Sequence, residues 1–172
     1  MVNLEGKTTV ITGGNSGIGY ATARKFRELG SNVIITGRNQ EALDKATSEL
    51  GVNAILADQS NLADLDQMVA RVKEQYGEID ALFINAGVAS FAPVELVSEE
   101  QFDNIMDVNF KGAFFTLQKF LPILKDGASV INLSSINAYT GMPNTAVYAA
   151  SKAALNALTR TAASELAPRH IR

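Results

Sequence analysis

The chain has 172 residues, 47% apolar and 19% charged, with 15 Lys and Arg against 18 Asp and Glu. That length holds one domain with a substantial core, and a net charge of −3 offers no basic excess for a nucleic-acid backbone. The lack of cysteine excludes disulfides, thiolate nucleophiles and cysteine zinc sites, and the single histidine, His170, builds neither a Ser-His-Asp triad nor a multi-histidine metal site.

Proton transfer is therefore left to Tyr, Lys or a carboxylate. The chain opens Met-Val-Asn-Leu-Glu-Gly-Lys, with no basic segment running into a long apolar one, and no stretch approaches 18 uninterrupted apolar residues. These features predict a cytoplasmic protein without a membrane span. The low charged fraction predicts strands covered on both faces, a subunit interface, or both.

Apolar β-branched runs alternate with helical patterns along the whole chain, the signature of βαβ units. Five strands are predicted at Thr8 to Thr12, Asn32 to Thr36, Ala54 to Ala57, Ala81 to Asn85 and Ser129 to Leu133. Five helices are predicted at Ser16 to Leu29, Gln40 to Leu50, Leu62 to Tyr76, Ser98 to Leu124 and Tyr148 to Ala167. Gly30, Gly51 and Gly77 follow helical patterns as C-caps do. No linker or repeat interrupts the rhythm, so residues 1–172 read as one domain. The fold class is α/β, a doubly wound parallel sheet of Rossmann type with its ligand site at the carboxyl ends of the strands.

The first strand runs through Thr12-Gly13-Gly14-Asn15-Ser16-Gly17-Ile18-Gly19 into a helix. Gly13 allows the tight turn, Gly17 a close approach to a pyrophosphate, and Gly19 close packing of the helix on the sheet. Gly13, Asn15, Ser16, Gly17, Ile18 and Gly19 are the candidate phosphate-side ligands, because free N–H groups at a helix start favour an anion. The second strand ends Thr36-Gly37-Arg38-Asn39, without the acidic side chain that holds a ribose 2′-hydroxyl. Arg38 offers a guanidinium fork for a 2′-phosphate, which favours NADP(H) over NAD(H); the competing reading is a solvated surface arginine. Asp58, after the third strand, either accepts from an adenine amino group or serves the next helix start, where Ser60 or Asn61 can cap.

Tyr148 and Lys152 stand four residues apart on one helical face. A nearby cation favours the phenolate, so Tyr148 can exchange a proton with a carbonyl or alcohol oxygen. Ser135 follows the fifth strand, where its hydroxyl can hold that oxygen.

Together these motifs resemble the short-chain dehydrogenase/reductase family, from Gly6 to the end of the chain. The resemblance rests on Thr12-Gly13-x-x-x-Gly17-x-Gly19, Asn85-Ala86-Gly87, Asn109 in Asp107-Val-Asn-Phe-Lys111, Ser135, and Tyr148-x-x-x-Lys152. It implies that Tyr148 is the acid/base, Lys152 its pKa-lowering partner and ribose ligand, and Ser135, thirteen residues before Tyr148, the substrate-orienting hydroxyl. It also implies that Asn109 holds a water linking the lysine to solvent, that Asn85 and Gly87 steady the central strand beside the cofactor, and that Asp58 contacts adenine.

Chains of this family continue past the position of Arg172 into a sixth strand, a Pro-Gly loop, a mobile substrate cover and a seventh strand. The expectation is a reductase fragment, truncated after the fifth strand and its following helix, with that strand left as a sheet edge and little turnover of its own. The segments Val88 to Val94 and Ile136 to Val147 carry no Lys or Arg, which suggests an uncharged carbonyl or alcohol substrate. Nine alanines between Ala146 and Ala167 suggest close helix packing, in a homodimer or homotetramer or against the sheet. The leading expectation is an NADP(H)-dependent carbonyl reductase or alcohol dehydrogenase that uses no metal. The alternatives are a non-enzymatic nucleotide-binding sensor or assembly module, and an inactive fragment.

Overall fold

The computed structural model describes residues 3–172. Five strands, β1 (Thr8–Thr12), β2 (Asn32–Gly37), β3 (Asn53–Leu56), β4 (Ile79–Ile84) and β5 (Leu124–Asn132), form one sheet in the order β3-β2-β1-β4-β5, every pair parallel. The order reverses between β1 and β4, and at such a switch point a crevice opens beyond the strand carboxyl ends.

Both faces of the sheet are covered, and the two-residue strand period shows how. Val10, Ile34 and Leu82 point to one side and share a core with Leu65, Met68 and Val72 of helix α3 (Leu62–Tyr76), Leu117 and Phe120 of α5 (Ala113–Phe120), and Leu155 of α6 (Ala146–Leu166). Ile11, Ile35 and Phe83 point to the other side, against Ala23 of α1 (Gly17–Glu28) and Leu43 and Ala46 of α2 (Gln40–Leu50). Each fully buried aliphatic side chain contributes roughly 1.5–3 kcal/mol. A sheet covered on both sides needs few charged residues, in keeping with the composition.

Helix starts follow local chemistry. The Asn39 side chain accepts from Ala42 N at 2.8 Å to begin α2, and Asn61 accepts from Ala63 N at 2.9 Å to begin α3. Gly51 and Gly77 are C-caps, whereas Gly30 lies one residue beyond the C-cap Leu29.

The long helix expected from Ser98 to Leu124 is broken. It comprises α4 (Glu99–Met106), a π-helical turn (Asp107–Gly112) and α5, and Pro122 then sits in the short 3-10 turn that closes it. Proline has no N–H to continue the ladder. Strand β5 begins at Leu124, five residues before the expected Ser129, and carries Lys125, Asp126 and Gly127 in its first half. Strands β3 and β4 begin before, and end one residue before, their expected limits, at Leu56 and Ile84. Helix α6 begins two residues earlier than expected. Beside β5, Arg172 pairs through its backbone, donating to Ala128 O at 3.1 Å and accepting from Val130 N at 2.7 Å. The alanines of α6 are mostly not packed on the sheet: Ala150, Ala153, Ala157 and Ala163 are exposed, and the buried residues of that helix are Ser151, Lys152 and Leu155.

Candidate active site

A cleft of about 430 Å³ opens over the carboxyl ends of β1 to β4, lined by Gly13, Asn15, Ser16, Gly17, Ile18, Arg38, Asp58, Asn85 and Gly87, among others. Gly19 is not in the lining but beneath it. A Cβ there would overlap Gly13 O and lie 2.5 Å from Asn85 Nδ2, so Gly19 lets α1 approach the turn rather than the flat of the sheet. Gly13 has φ +63°, and a Cβ on it would meet Ala86 Cα at 2.9 Å.

These features suit a dinucleotide. The first turn of α1 has no acidic residue, and the extended Ser16 does not use its hydroxyl to cap the helix, so the donor-rich helix start faces the cleft uncompensated. Arg38 is exposed at the rim and has no ion-pair partner among the described residues. Asp58 serves the approach to the next helix start. Its Oδ1 accepts from Ser60 N at 2.9 Å and Ser60 Oγ at 2.7 Å, yet it still lines the cleft.

Asn85 is fixed by donating from Nδ2 to Thr12 O at 2.9 Å and Gly13 O at 3.0 Å. Thr12 completes that tie, because its Oγ1 accepts from both Asn85 N and Ala86 N at 3.0 Å. This use of the Thr12 side chain escapes sequence reasoning. The available signal is a hydroxyl at the buried carboxyl end of a strand, which needs a partner.

Asn109 sits in the π-helical turn and is fully buried. Its Oδ1 accepts from Val88 N at 2.8 Å, and its Nδ2 donates to Val88 O at 2.9 Å and to Ser151 Oγ at 3.1 Å. Ser151 Oγ donates in turn to Tyr148 O at 2.7 Å, so the turn is tied to the start of α6. The carboxamide is thus engaged by protein groups on both its ends. Ser151 is a second residue missed from sequence, despite lying inside the Tyr148-x-x-x-Lys152 motif.

Lys152 is only 4% exposed, and its Nζ donates to Leu133 O at 2.7 Å. The same nitrogen lies 5.8 Å from the centroid of the Tyr148 ring, and a Cβ on Gly87 would be 3.4 Å from it. Burial holds the Lys152 ammonium below its usual pKa. Tyr148 is half-buried and meets Phe91 edge-on, with ring centroids 6.0 Å apart. Of the two serines after β5, Ser134 donates to Lys152 O at 3.3 Å, whereas Ser135 Oγ accepts from Asn137 N at 3.2 Å and keeps its own proton to give. The motif residues therefore converge on one end of the sheet, where the cleft wall at Gly87, Val88 and Leu133 adjoins Asn109 and Lys152.

The segment that carries Phe91 and the one that follows Ser135 expose several large apolar side chains. Phe91, Val94, Ile136, Tyr139 and Met142 are exposed, and Ala92 N donates to Asn144 O at 3.0 Å, joining the two segments that carry them. Among the described residues, no helix is long and apolar enough to cross a membrane.

A family model described as short chain dehydrogenase matches residues 7–172. An oxidoreductase of Sarocladium schorii is 43% identical over 173 residues, covering 98% of this chain and 70% of its own length. The NADP-dependent (R)-specific alcohol dehydrogenase of Lentilactobacillus kefiri is 34% identical over 171 residues, covering 95% of this chain and 68% of its own. A crystal structure of a short-chain dehydrogenase/reductase (glucose/ribitol dehydrogenase) from Brucella melitensis matches with a TM-score of 0.96 and 35% identity, over 100% of this chain and 74% of that one. The chain belongs to the short-chain dehydrogenase/reductase family of oxidoreductases.

Proposed function

We propose that the chain, as one dinucleotide-binding and catalytic domain, interconverts an uncharged carbonyl compound and its alcohol with NADP(H). The observation that carries this reading is the buried Lys152 ammonium, fixed on Leu133 O and 5.8 Å from the Tyr148 ring at the end of the cleft. When bound, the nicotinamide supplies or takes up the hydride. Tyr148 gives a proton to the carbonyl oxygen in reduction and removes it from the hydroxyl in oxidation. Lys152 favours the phenolate by its charge, and Ser135 donates its free proton to the substrate oxygen. Asn109 keeps Val88 and Ser151 in place around them.

On the nucleotide side, the N–H groups at the start of α1 hold the pyrophosphate, with Asn15, Ser16 and Ile18 around it. Asp58 accepts from the adenine amino group. Arg38, without an acidic partner among the described residues, takes the 2′-phosphate, and Gly37 leaves room for the Asn15 side chain to fold over the end of β2. The NADP dependence named for the Lentilactobacillus relative supports the same preference. The exposed Ala150, Ala153 and Ala157 of α6, with Phe102 of α4 and Phe114 of α5, support a homodimer or homotetramer, and the cytoplasm is the proposed location.

The test is Tyr148→Phe. NADPH-dependent reduction of uncharged ketones and aldehydes is lost while NADPH binding persists. Retention of most activity removes Tyr148 from its role, and nucleotide binding by the wild type without any turnover across the substrate panel favours a sensor or assembly module.

A further inference from the structure

Gln59 follows Asp58 beyond β3 and is 6% exposed. Its Nε2 donates to Ala86 O at 3.2 Å and to Val108 O at 3.0 Å, contacts 27 and 49 residues away in sequence. Its Oε1 is buried and has no partner among the described residues. A buried amide with an orphan oxygen is disfavoured against an apolar side chain of similar volume. The two bonds it makes join the parts of the site that must keep register. Ala86 lies in the cleft wall beside Asn85 and Gly87, and Val108 immediately precedes Asn109 in the π-helical turn.

The turn is shaped to receive Gln59. A Cβ on Gly112 would overlap Gln59 O and come within 2.9 Å of Gln59 Cγ, so only glycine lets the turn close over this residue. A turn that changes from i+4 to i+5 pairing also skips a carbonyl, and Gln59 Nε2 brings a donor to a carbonyl of that turn. Apart from Gln59, the side-chain hydrogen bonds between the loop at 85–88 and the turn are the paired bonds of Asn109 to Val88.

We propose that Gln59 is a positioning residue whose carboxamide sets the spacing between the cleft wall at Ala86 and the π-helical turn that carries Asn109. Gln59 borders the cleft, but its side-chain donor is spent on those two backbone carbonyls, and it acts through them. The inference rests on the dinucleotide reading above, and its test separates the two.

Wild type, Gln59→Met and Gln59→Glu are titrated with NADP+ by calorimetry, each with a thermal melt. Met preserves the packing against Gly112, so Gln59→Met unfolds cooperatively but binds NADP+ about tenfold more weakly, the equivalent of one net hydrogen bond. The Glu carboxyl, buried against two carbonyl oxygens, donates only when protonated. Its affinity relative to wild type therefore rises about fivefold or more from about pH 8 to about pH 5.5. Asp58, Asp64, Asp107, Lys111 and Lys152, the charged groups on the surrounding segments, are common to both proteins, as is the ligand phosphate, so the ratio removes their titration. A merely structural role lowers the melting temperature and leaves the affinity of the folded protein and this pH profile unmoved.

Affinity within about twofold of wild type for Gln59→Met overturns the proposal, as does a flat ratio for Gln59→Glu. If Gln59→Met fails to fold, the Glu profile decides alone. A wild type that does not bind NADP+ overturns the dinucleotide reading and the proposal with it.

Discussion

Replacing Thr12 by valine keeps side-chain volume and shape and removes one oxygen, which isolates the energetic role of that hydroxyl. Thr12 is 1% exposed, and its Oγ1 accepts from Asn85 N and Ala86 N, both at 3.0 Å. In Thr12→Val those two amides lose their partner in a place from which water is largely excluded, at roughly 1–3 kcal/mol each. Part of that is recovered when the loop moves outward to meet solvent, so the expected loss is about 2–4 kcal/mol. With a urea m-value of about 2 kcal/mol/M, the midpoint falls by roughly 1–2 M. Thr12→Ser keeps the oxygen and loses one methyl, worth about 1 kcal/mol. Urea unfolding of the three proteins, followed by circular dichroism, supplies the comparison. Equal losses for Ser and Val, or a Val variant within about 0.5 kcal/mol of wild type, would show that the hydroxyl does not hold this loop.

Two more perturbations test charges at opposite ends of the sheet. Asp80, whose side chain is 11% exposed, accepts from Thr8 N, Lys7 Nζ and Lys125 Nζ at 3.0 Å each. Burial pushes its carboxyl up, but the Thr8 amide and the two ammoniums outweigh it and hold the pKa below the usual value. Its stabilisation is present above the ordinary carboxylate pKa of about 3.9 and is lost as pH falls through the lower folded value. Asp80→Asn therefore costs about 1–3 kcal/mol at neutral pH, and urea unfolding at stepped pH shows the gap to wild type closing in acid. In Lys152 it is the charged form that folding disfavours. Its folded pKa is depressed, so the unfolded chain binds the extra proton and wild-type stability rises from that depressed value up to the ordinary value of about 10.4. Lys152→Met lacks this rise, so the difference between the two unfolding curves moves in favour of wild type on going alkaline. A difference independent of pH would contradict the burial of the ammonium.

The doubly wound sheet was legible because its evidence is local. The apolar β-branched runs Val10-Ile11 and Val33-Ile34-Ile35, a glycine turn between strand and helix, and the cap offered at Asn61 all act within a few residues. The start of β5 was hidden because Lys125-Asp126-Gly127 lacks the β-branched composition by which a strand is recognised, and its place is fixed by pairing with β4. The π-helical turn was hidden for another reason. A 3.6-residue apolar period runs through α4 and α5, and a local switch to wider pairing leaves that period nearly intact while rotating Asn109 inward. Thr12, Gln59 and Ser151 were missed because what gives them a role is a partner 27 to 74 residues away, or a backbone atom, and neither has a sequence signature.

The placement of Lys152 bears on the role proposed for it, because it has no ion-pair partner among the described residues. Had its ammonium been held by a carboxylate, the pair would be nearly neutral at the distance of Tyr148, and little field would remain to favour a phenolate. Among the described residues its hydrogen-bond partner is instead the neutral carbonyl of Leu133, which fixes the nitrogen without cancelling its charge. Burial then raises the strength of that charge at 5.8 Å, because less solvent lies between it and the ring. The same burial lowers the pKa of the lysine, so the arrangement works while the amine stays protonated and weakens once it loses its proton. In the proposed reaction the field at Tyr148 therefore depends on Lys152 keeping its proton, and activity falls on the alkaline side as that proton is lost.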